Sequence, residues 1–377
     1  MKIETFEMER MQSTWENVVE YDLSESGVHP VTLNELAQMG LDIEMLLRTP
    51  LGYSQSNGTI ELREIIASYY PGAAIDHIEV TNGTSEANYI IAQALLNPGD
   101  ESAFMIPNYM QLYGLGRSFG SAAHCFRLRY DKNWEPDWEE FEYGLTPKTK
   151  TVYVTNPNNP TGSVLSREAM QRIIAGIERV GAYLIADEVY QGAELDGKLT
   201  PSFWGMSDRV IITSGLSKAY GLPGVRIGWI VGPPELIAEC WRRHDYITIC
   251  PCKLSDYIAR TALIPENRIK LNARTKQIIG TNKELYEKWL AELGGFLSYI
   301  PPKAGAMAFT RYNASLPSLE LAERIRVNQN VLVVPGSQLG MEGFIRINIG
   351  MQQERFENAL KRVKNELEAI RVPLMRD

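Results

Sequence analysis

Between residues 46 and 285, short apolar runs alternate with stretches whose apolar residues recur every three to four positions. The runs 78–81, 101–106, 151–155, 183–186, 210–213 and 226–231 read as strands, and the stretches 60–70, 85–95, 167–180 and 234–243 read as helices. Such alternation predicts a largely parallel sheet covered by helices on both faces. After Lys270 the pattern turns helical with dense charge (ELYEKWLAEL). The chain then finishes in a mixed pattern, with strands at 306–310, 331–334 and 343–349 and a helix at 353–370. The first 45 residues are acidic and aromatic, with a turn at Ser26-Gly27-Val28-His29-Pro30. There is no internal repeat and no low-complexity segment. The expected class is α/β: a mostly parallel sheet sandwiched by helices in a large domain, plus a smaller α+β domain.

At 377 residues the chain has room for two such units. A formal net charge of −8 argues against a nucleic-acid partner, which needs a basic surface. No apolar run approaches the roughly 20 residues of a membrane span, and the N-terminus lacks a signal-peptide core. Of the four cysteines, two sit in Cys250-Pro251-Cys252, with no second cluster to suggest a metal site. A cytoplasmic protein with reduced thiols is expected, binding neither nucleic acid nor membrane.

Five short motifs fall at predicted strand ends or in loops, where α/β folds build their sites. Gly83, Thr84 and Ser85 follow the first strand and open a helix, so backbone N–H groups and two hydroxyls can cradle a phosphate; a plain helix start is the alternative. Pro107-Asn108-Tyr109 follows the second, and Tyr109 either lies on an aromatic ring or simply packs. In Asn156-Pro157-Asn158-Asn159-Pro160-Thr161-Gly162, two Asn-Pro steps force a turning backbone, and Asn159 can offer its amide to a ring oxygen. Asp187 ends a buried strand in Asp187-Glu188-Val189-Tyr190. It either caps a helix or answers a cation such as a protonated pyridine nitrogen, with Tyr190 available to a phenolate oxygen. Last comes SGLSKAYGLPGVRIGW, in which Lys218 and Arg226 stand eight residues apart amid small residues. Lys218 suits a covalent link to an aldehyde, and Arg226 suits a phosphate. Together the five describe one ligand, pyridoxal 5′-phosphate (PLP).

In order and spacing these motifs resemble the class I/II aminotransferase family of fold-type-I PLP enzymes, over nearly the whole chain. The resemblance implies that Lys218 is the Schiff-base and proton-transfer residue and that Asp187 pairs with the pyridine nitrogen. It also implies that Asn159 and Tyr190 hold the ring oxygen, that Tyr109 stacks on the ring, and that Gly83, Thr84, Ser85 and Arg226 take the phosphate. Leu51-Gly52-Tyr53-Ser54 matches the family's dimer-crossing segment, so Tyr53 is expected at the partner's phosphate in a homodimer. Arg346, in Phe344-Ile345-Arg346-Ile347-Asn348, matches the arginine that clamps the substrate α-carboxylate. One position departs from the pattern: the family's phosphate-contacting serine three residues before the lysine is Gly215 here, leaving Ser214 or Ser217 to substitute. The implied divisions are an N-terminal arm with part of the small domain at 1–45, a large PLP-binding domain at 46–285 and a small domain at 286–377.

The reaction is less defined. Transamination of an L-amino acid is the family's usual outcome. Residues 23–29 (LSESGVH) and 245–248 (DYIT) resemble its capreomycidine-synthase-like branch, which cyclises a hydroxylated arginine. The arm also carries Glu4, Glu7, Glu9, Glu16, Asp22 and Glu25. Glu9 and Glu25, with Ser26 and Gly27, are the candidate contacts to a guanidinium, beside Arg346 and Asn159 as the other substrate contacts. Cyclising dehydration is therefore preferred, transamination follows, and a PLP-sensing transcription regulator is remote for an acidic chain with no DNA-binding module.

Overall fold

The computed structural model describes residues 3–371. Its largest sheet has eight strands, in the order Ile78–Thr81, Gly228–Val231, Val210–Gly215, Tyr183–Asp187, Thr149–Thr155, Glu101–Ile106, Ala122–Arg129 and Glu135–Pro136. The four from Val210–Gly215 to Glu101–Ile106, and Ala122–Arg129 beside them, run parallel; Gly228–Val231 and Glu135–Pro136 run antiparallel to their neighbours. The central strands are buried along nearly their whole length, as the continuous apolar runs demand of a sheet covered on both faces.

Most predicted strands lie where their apolar runs lie, with ends displaced by one or two residues. Two departures have physical causes. Ala122–Arg129 lies near the sheet edge with alternating, partly exposed positions, and its histidine and arginines hide it from a hydropathy reading. Arg226 is not in a strand: it sits in the left-handed region at φ 54, ending the turn Pro223–Val225, and the strand begins at Gly228. The helix Arg167–Val180 matches its expected span. Ser166 Oγ accepts from Ala169 N at its start, an interaction whose loss typically costs about 1 kcal/mol. Gly181, at φ 72, stops it.

A second, antiparallel sheet orders Leu297–Tyr299, Met307–Tyr312, Phe344–Asn348 and Val334–Pro335. The predicted strand 331–334 divides in two, because Val331–Leu332 pairs instead with Tyr21–Asp22 in a separate parallel ladder. That ladder draws the N-terminal arm onto the C-terminal part of the chain. Leu23 N donates to Leu332 O and Asn348 N to Leu23 O, so residues 24–27 run beside Phe344–Asn348. Among the described residues no helix is long and apolar enough to cross a membrane.

Candidate active site

Parallel strands deliver their following loops to one edge of the sheet. Thr155 pairs with Asp187, Asp187 with Thr213, and both Thr81 and Gly215 with Gly228. The five sequence motifs therefore meet at one end. They surround a cavity of about 290 Å³ lined by Thr84, Ser85, Tyr109, Asn159, Asp187, Tyr190, Ser217, Lys218, Arg226 and Arg346, with Glu9, Glu25 and Ser26 from the arm.

At one end of the cavity the helix Thr84–Leu95 starts on Gly83, whose φ of 88 suits glycine, and has no side-chain cap. A Cβ on Gly83 would run into the Arg226 guanidinium, which arches over this turn and donates to Asn82 O at 3.3 Å. Uncapped N–H groups, two hydroxyls and a guanidinium suit a phosphate dianion. Gly215 has a steric reason as well: a Cβ there would stand 2.9 Å from Ile227 O and 3.0 Å from Thr84 Oγ1. Thr84 thus occupies the space a serine would need. Of the two proposed substitutes, Ser217 lines the cavity, whereas Ser214 is buried in its strand.

Asp187 lines the cavity, 5% exposed, with two neutral donors at its oxygens: Val189 N at 3.1 Å and Tyr153 Oη at 3.5 Å. Burial pushes its pKa up to about 6. A buried carboxyl in this state fits a cationic ring nitrogen. The alternative of a helix cap does not apply, since no helix follows Asp187. Tyr190 Oη donates to Ser26 Oγ at 2.9 Å. Arg346 is buried, with Nη1 on Asn159 Oδ1 at 2.8 Å and Nη2 on Ser24 O at 2.5 Å, while its Nε has no partner among the described residues. An unmatched guanidinium edge in a dry wall fits a carboxylate ligand.

Lys218 Nζ lies 2.5 Å from Glu25 Oε1. Burial disfavours both charges, but their mutual attraction wins: the lysine pKa rises and the Glu25 carboxyl falls below its usual range. Gly27 is close by, and a Cβ on it would lie 3.5 Å from Lys218 Cδ. Glu25, expected from the sequence as a contact to a substrate guanidinium, thus has the lysine as its cation instead.

The helix Glu7–Trp15 forms a wall of the cavity, with Phe6 packed edge-on to Tyr109 at 5.0 Å between ring centroids and Tyr109 Oη donating to Glu9 Oε1 at 2.8 Å. Sequence reasoning passed over two contributors on this wall, Met8 and Gln12, and named Glu16 only among the arm's carboxylates. Glu9, Gln12 and Glu16 are spaced by three and four, which places them on one helical face; that spacing was a usable signal. Burial, together with the charges of Asp22, Glu25 and Glu9, raises the Glu16 pKa, a sign of crowded carboxylates. Tyr53 is 84% exposed and outside this cavity.

Fold and cavity together define a fold-type-I PLP-dependent enzyme. Residues 20–363 match the family described as aminotransferase class I and II, and the chain belongs to that family. It is 30% identical to capreomycidine synthase of Streptomyces vinaceus over 349 residues, 92% of this chain and 89% of that protein. It is 27% identical to aspartate aminotransferase of Thermotoga maritima over 333 residues, 86% of each. A PLP-dependent aminotransferase from Streptococcus suis matches with a TM-score of 0.91 at 28% identity, covering 98% of this chain and 99% of that one. The PLP-dependent cyclase OrfR matches with a TM-score of 0.88 at 25% identity, covering 98% of each.

Proposed function

We propose that this enzyme cyclises a hydroxylated arginine-type amino acid with loss of water. The observation that carries the reading is the pair Glu9 and Glu16 on the wall of a cavity that also holds Arg346, with Glu25 already engaged by Lys218. Arg346 suits the α-carboxylate. The carboxylates suit a distal cation and would repel the second carboxylate of an aspartate-like substrate. The similarity to capreomycidine synthase supports the same choice.

When bound, PLP supplies an electron sink for a carbanion at the amino acid's Cα. In this assignment Lys218 would hold the aldehyde and would move the Cα proton on Nζ, with Glu25 placed to steady its ammonium. Asp187 would keep the ring nitrogen charged, Tyr109 would cover the ring face, and the Asn159 amide and Tyr190 hydroxyl would serve the ring oxygen. The Gly83 backbone, Thr84, Ser85, Ser217 and Arg226 would grip the phosphate. Ser26 and Gly27 carry the arm past Lys218. In the net reaction the C–O bond of the side-chain hydroxyl breaks and a guanidine nitrogen bonds to the same carbon. Water leaves and the α-amino group stays, so no oxidant or keto acid is consumed.

The test is mass spectrometry of products from hydroxylated and plain arginine, with and without a keto acid. A cyclic product lighter by one water is expected. Formation of the substrate's keto acid, with amino transfer to the acceptor and no cyclic product, would establish transamination of a basic amino acid instead. The similarity to aspartate aminotransferases keeps that second reading in view. Glu9→Gln or Glu16→Gln should each weaken binding of an arginine-type substrate roughly 10- to 150-fold, the worth of a charge-assisted hydrogen bond, and leave neutral amino acids far less affected. An equal effect on neutral amino acids would remove that residue from the cation seat.

The same assignment calls for a homodimer. Tyr53 projects into solvent from a surface that also exposes Leu47 and Leu51, an arrangement suited to burial against a second copy. Sedimentation should show a dimer, and Tyr53→Ala should loosen PLP by roughly tenfold, a single hydrogen bond's worth. A fully active monomer would overturn this part.

A further inference from the structure

Bonded to the turn 82–84, and not lining the cavity, lies a cluster of polar groups that the chemistry above does not use. His244, fully buried at the end of the helix Pro234–His244, places Nδ1 2.7 Å from Glu79 Oε1 and Nε2 3.0 Å from Thr248 Oγ1. The Thr248 hydroxyl donates to Glu86 Oε1 at 2.7 Å and accepts from Asn82 Nδ2 at 2.8 Å. The other oxygen of Glu86 accepts from Asn82 N at 2.5 Å and from Asn82 Nδ2 at 3.2 Å, and lies 3.4 Å from His244 Nε2. Asn82 is therefore held through both its backbone and its side chain. Its next neighbours in the chain are Gly83 and Thr84.

We propose that His244 and Thr248 are positioning residues for the cofactor phosphate, acting through Glu86 and Asn82 to fix the turn that opens the helix Thr84–Leu95. The inference rests on the assignment of that turn as the phosphate grip.

Three observations support it. Thr248 Oγ1 accepts from Asn82 while donating to Glu86, so its single proton is committed, and it completes its partners by accepting from an Nε2–H of His244. That fixes the direction of every bond in the chain and hence the orientation of the Asn82 peptide. Burial opposes charge on the imidazole, but its bonds to Glu79 and Glu86 outweigh burial and raise its pKa, so both ring nitrogens can donate. The position of the ring at a helix C-terminus favours the same charge. Finally, Arg226 donates to Asn82 O at 3.3 Å, so a shift of Asn82 would also disturb the guanidinium assigned to the phosphate. The network thereby gives a physical task to Thr248, the last residue of the stretch 245–248.

The test compares equilibrium binding of PLP and of pyridoxal, which lacks the phosphate, to the full chain cleared of cofactor, read by absorbance of the bound form. Thr248 is exposed at its surface, so substitutions there should leave the fold intact. The wild type should prefer PLP over pyridoxal by at least about 100-fold, and Thr248→Val should cut that preference about tenfold or more while leaving pyridoxal binding unchanged. Thr248→Ser, which keeps the hydroxyl, should restore it, and Glu86→Gln should behave like Thr248→Val. A Thr248→Val protein with the wild-type preference, or one weakened equally toward both ligands, overturns the inference, as does a serine variant that restores nothing. A wild type that binds PLP and pyridoxal equally would instead overturn the phosphate assignment of the turn.

Discussion

Lys218→Ala should fold, bind PLP without attaching it, and lose turnover by at least about 10²–10⁴-fold, the usual worth of a positioned general base. Borohydride treatment followed by mass spectrometry should leave cofactor on the wild type at Lys218 and none on the variant. The expectation rests on position: Lys218 lines the cavity on which loops from five strand ends converge. Because Glu25 sits 2.5 Å from Nζ, the alanine variant also leaves one carboxylate without its cation. Added primary amines small enough to enter should restore part of the rate, since they replace the missing base without replacing the covalent tether. A variant with near wild-type turnover would remove Lys218 from the reaction.

Asp187→Asn should separate function from stability in opposite directions. Activity should fall about 10²–10⁴-fold, because breaking a buried charge pair costs about 3–5 kcal/mol and each 1.36 kcal/mol is tenfold in rate. The cofactor-free protein should nevertheless become more stable near pH 8. Burial raises the folded-state pKa of Asp187 from 3.8 to about 6. The carboxyl therefore contributes its full share below about pH 4, and that share is lost as pH rises through 6, a loss of about 3 kcal/mol. Asparagine has no charge to bury. Its melting temperature should exceed that of wild type at pH 8, and the gap should close toward pH 4. A normal rate, or a variant less stable than wild type at pH 8, would show that Asp187 has a different task.

Much of the site was legible in the sequence because a parallel sheet converts sequence order into spatial convergence. Once 78–81, 101–106, 151–155, 183–186 and 210–213 read as parallel strands, the residues after each had to share one edge. Thr84, Tyr109, Asn159, Asp187 and Lys218 came together for that reason. Arg226 belonged to the same set but was read inside a strand, since a left-handed conformation at a non-glycine residue leaves no mark in hydropathy. The wall formed by Met8, Glu9, Gln12 and Glu16 had the right periodicity, yet what a helical face looks onto is decided by tertiary packing. Glu79 was invisible for another reason. It lies within the apolar run Ile78–Thr81, and its partner His244 is 165 residues away.

The pairing of the arm with the C-terminal sheet also bears on how the enzyme comes into being. Ser24 O meets the Arg346 guanidinium across 322 residues of chain, and Tyr21–Asp22 has no strand to lie against until Val331–Leu332 exists. On a ribosome moving at about 5–20 residues per second, the arm would wait on the order of tens of seconds for its dock. During that interval Glu9, Glu16 and Glu25 are spread along a loose, acidic leader. The catalytic pocket is thus among the last parts of the molecule to assemble, and a half-made chain has no closed chamber in which to hold substrate.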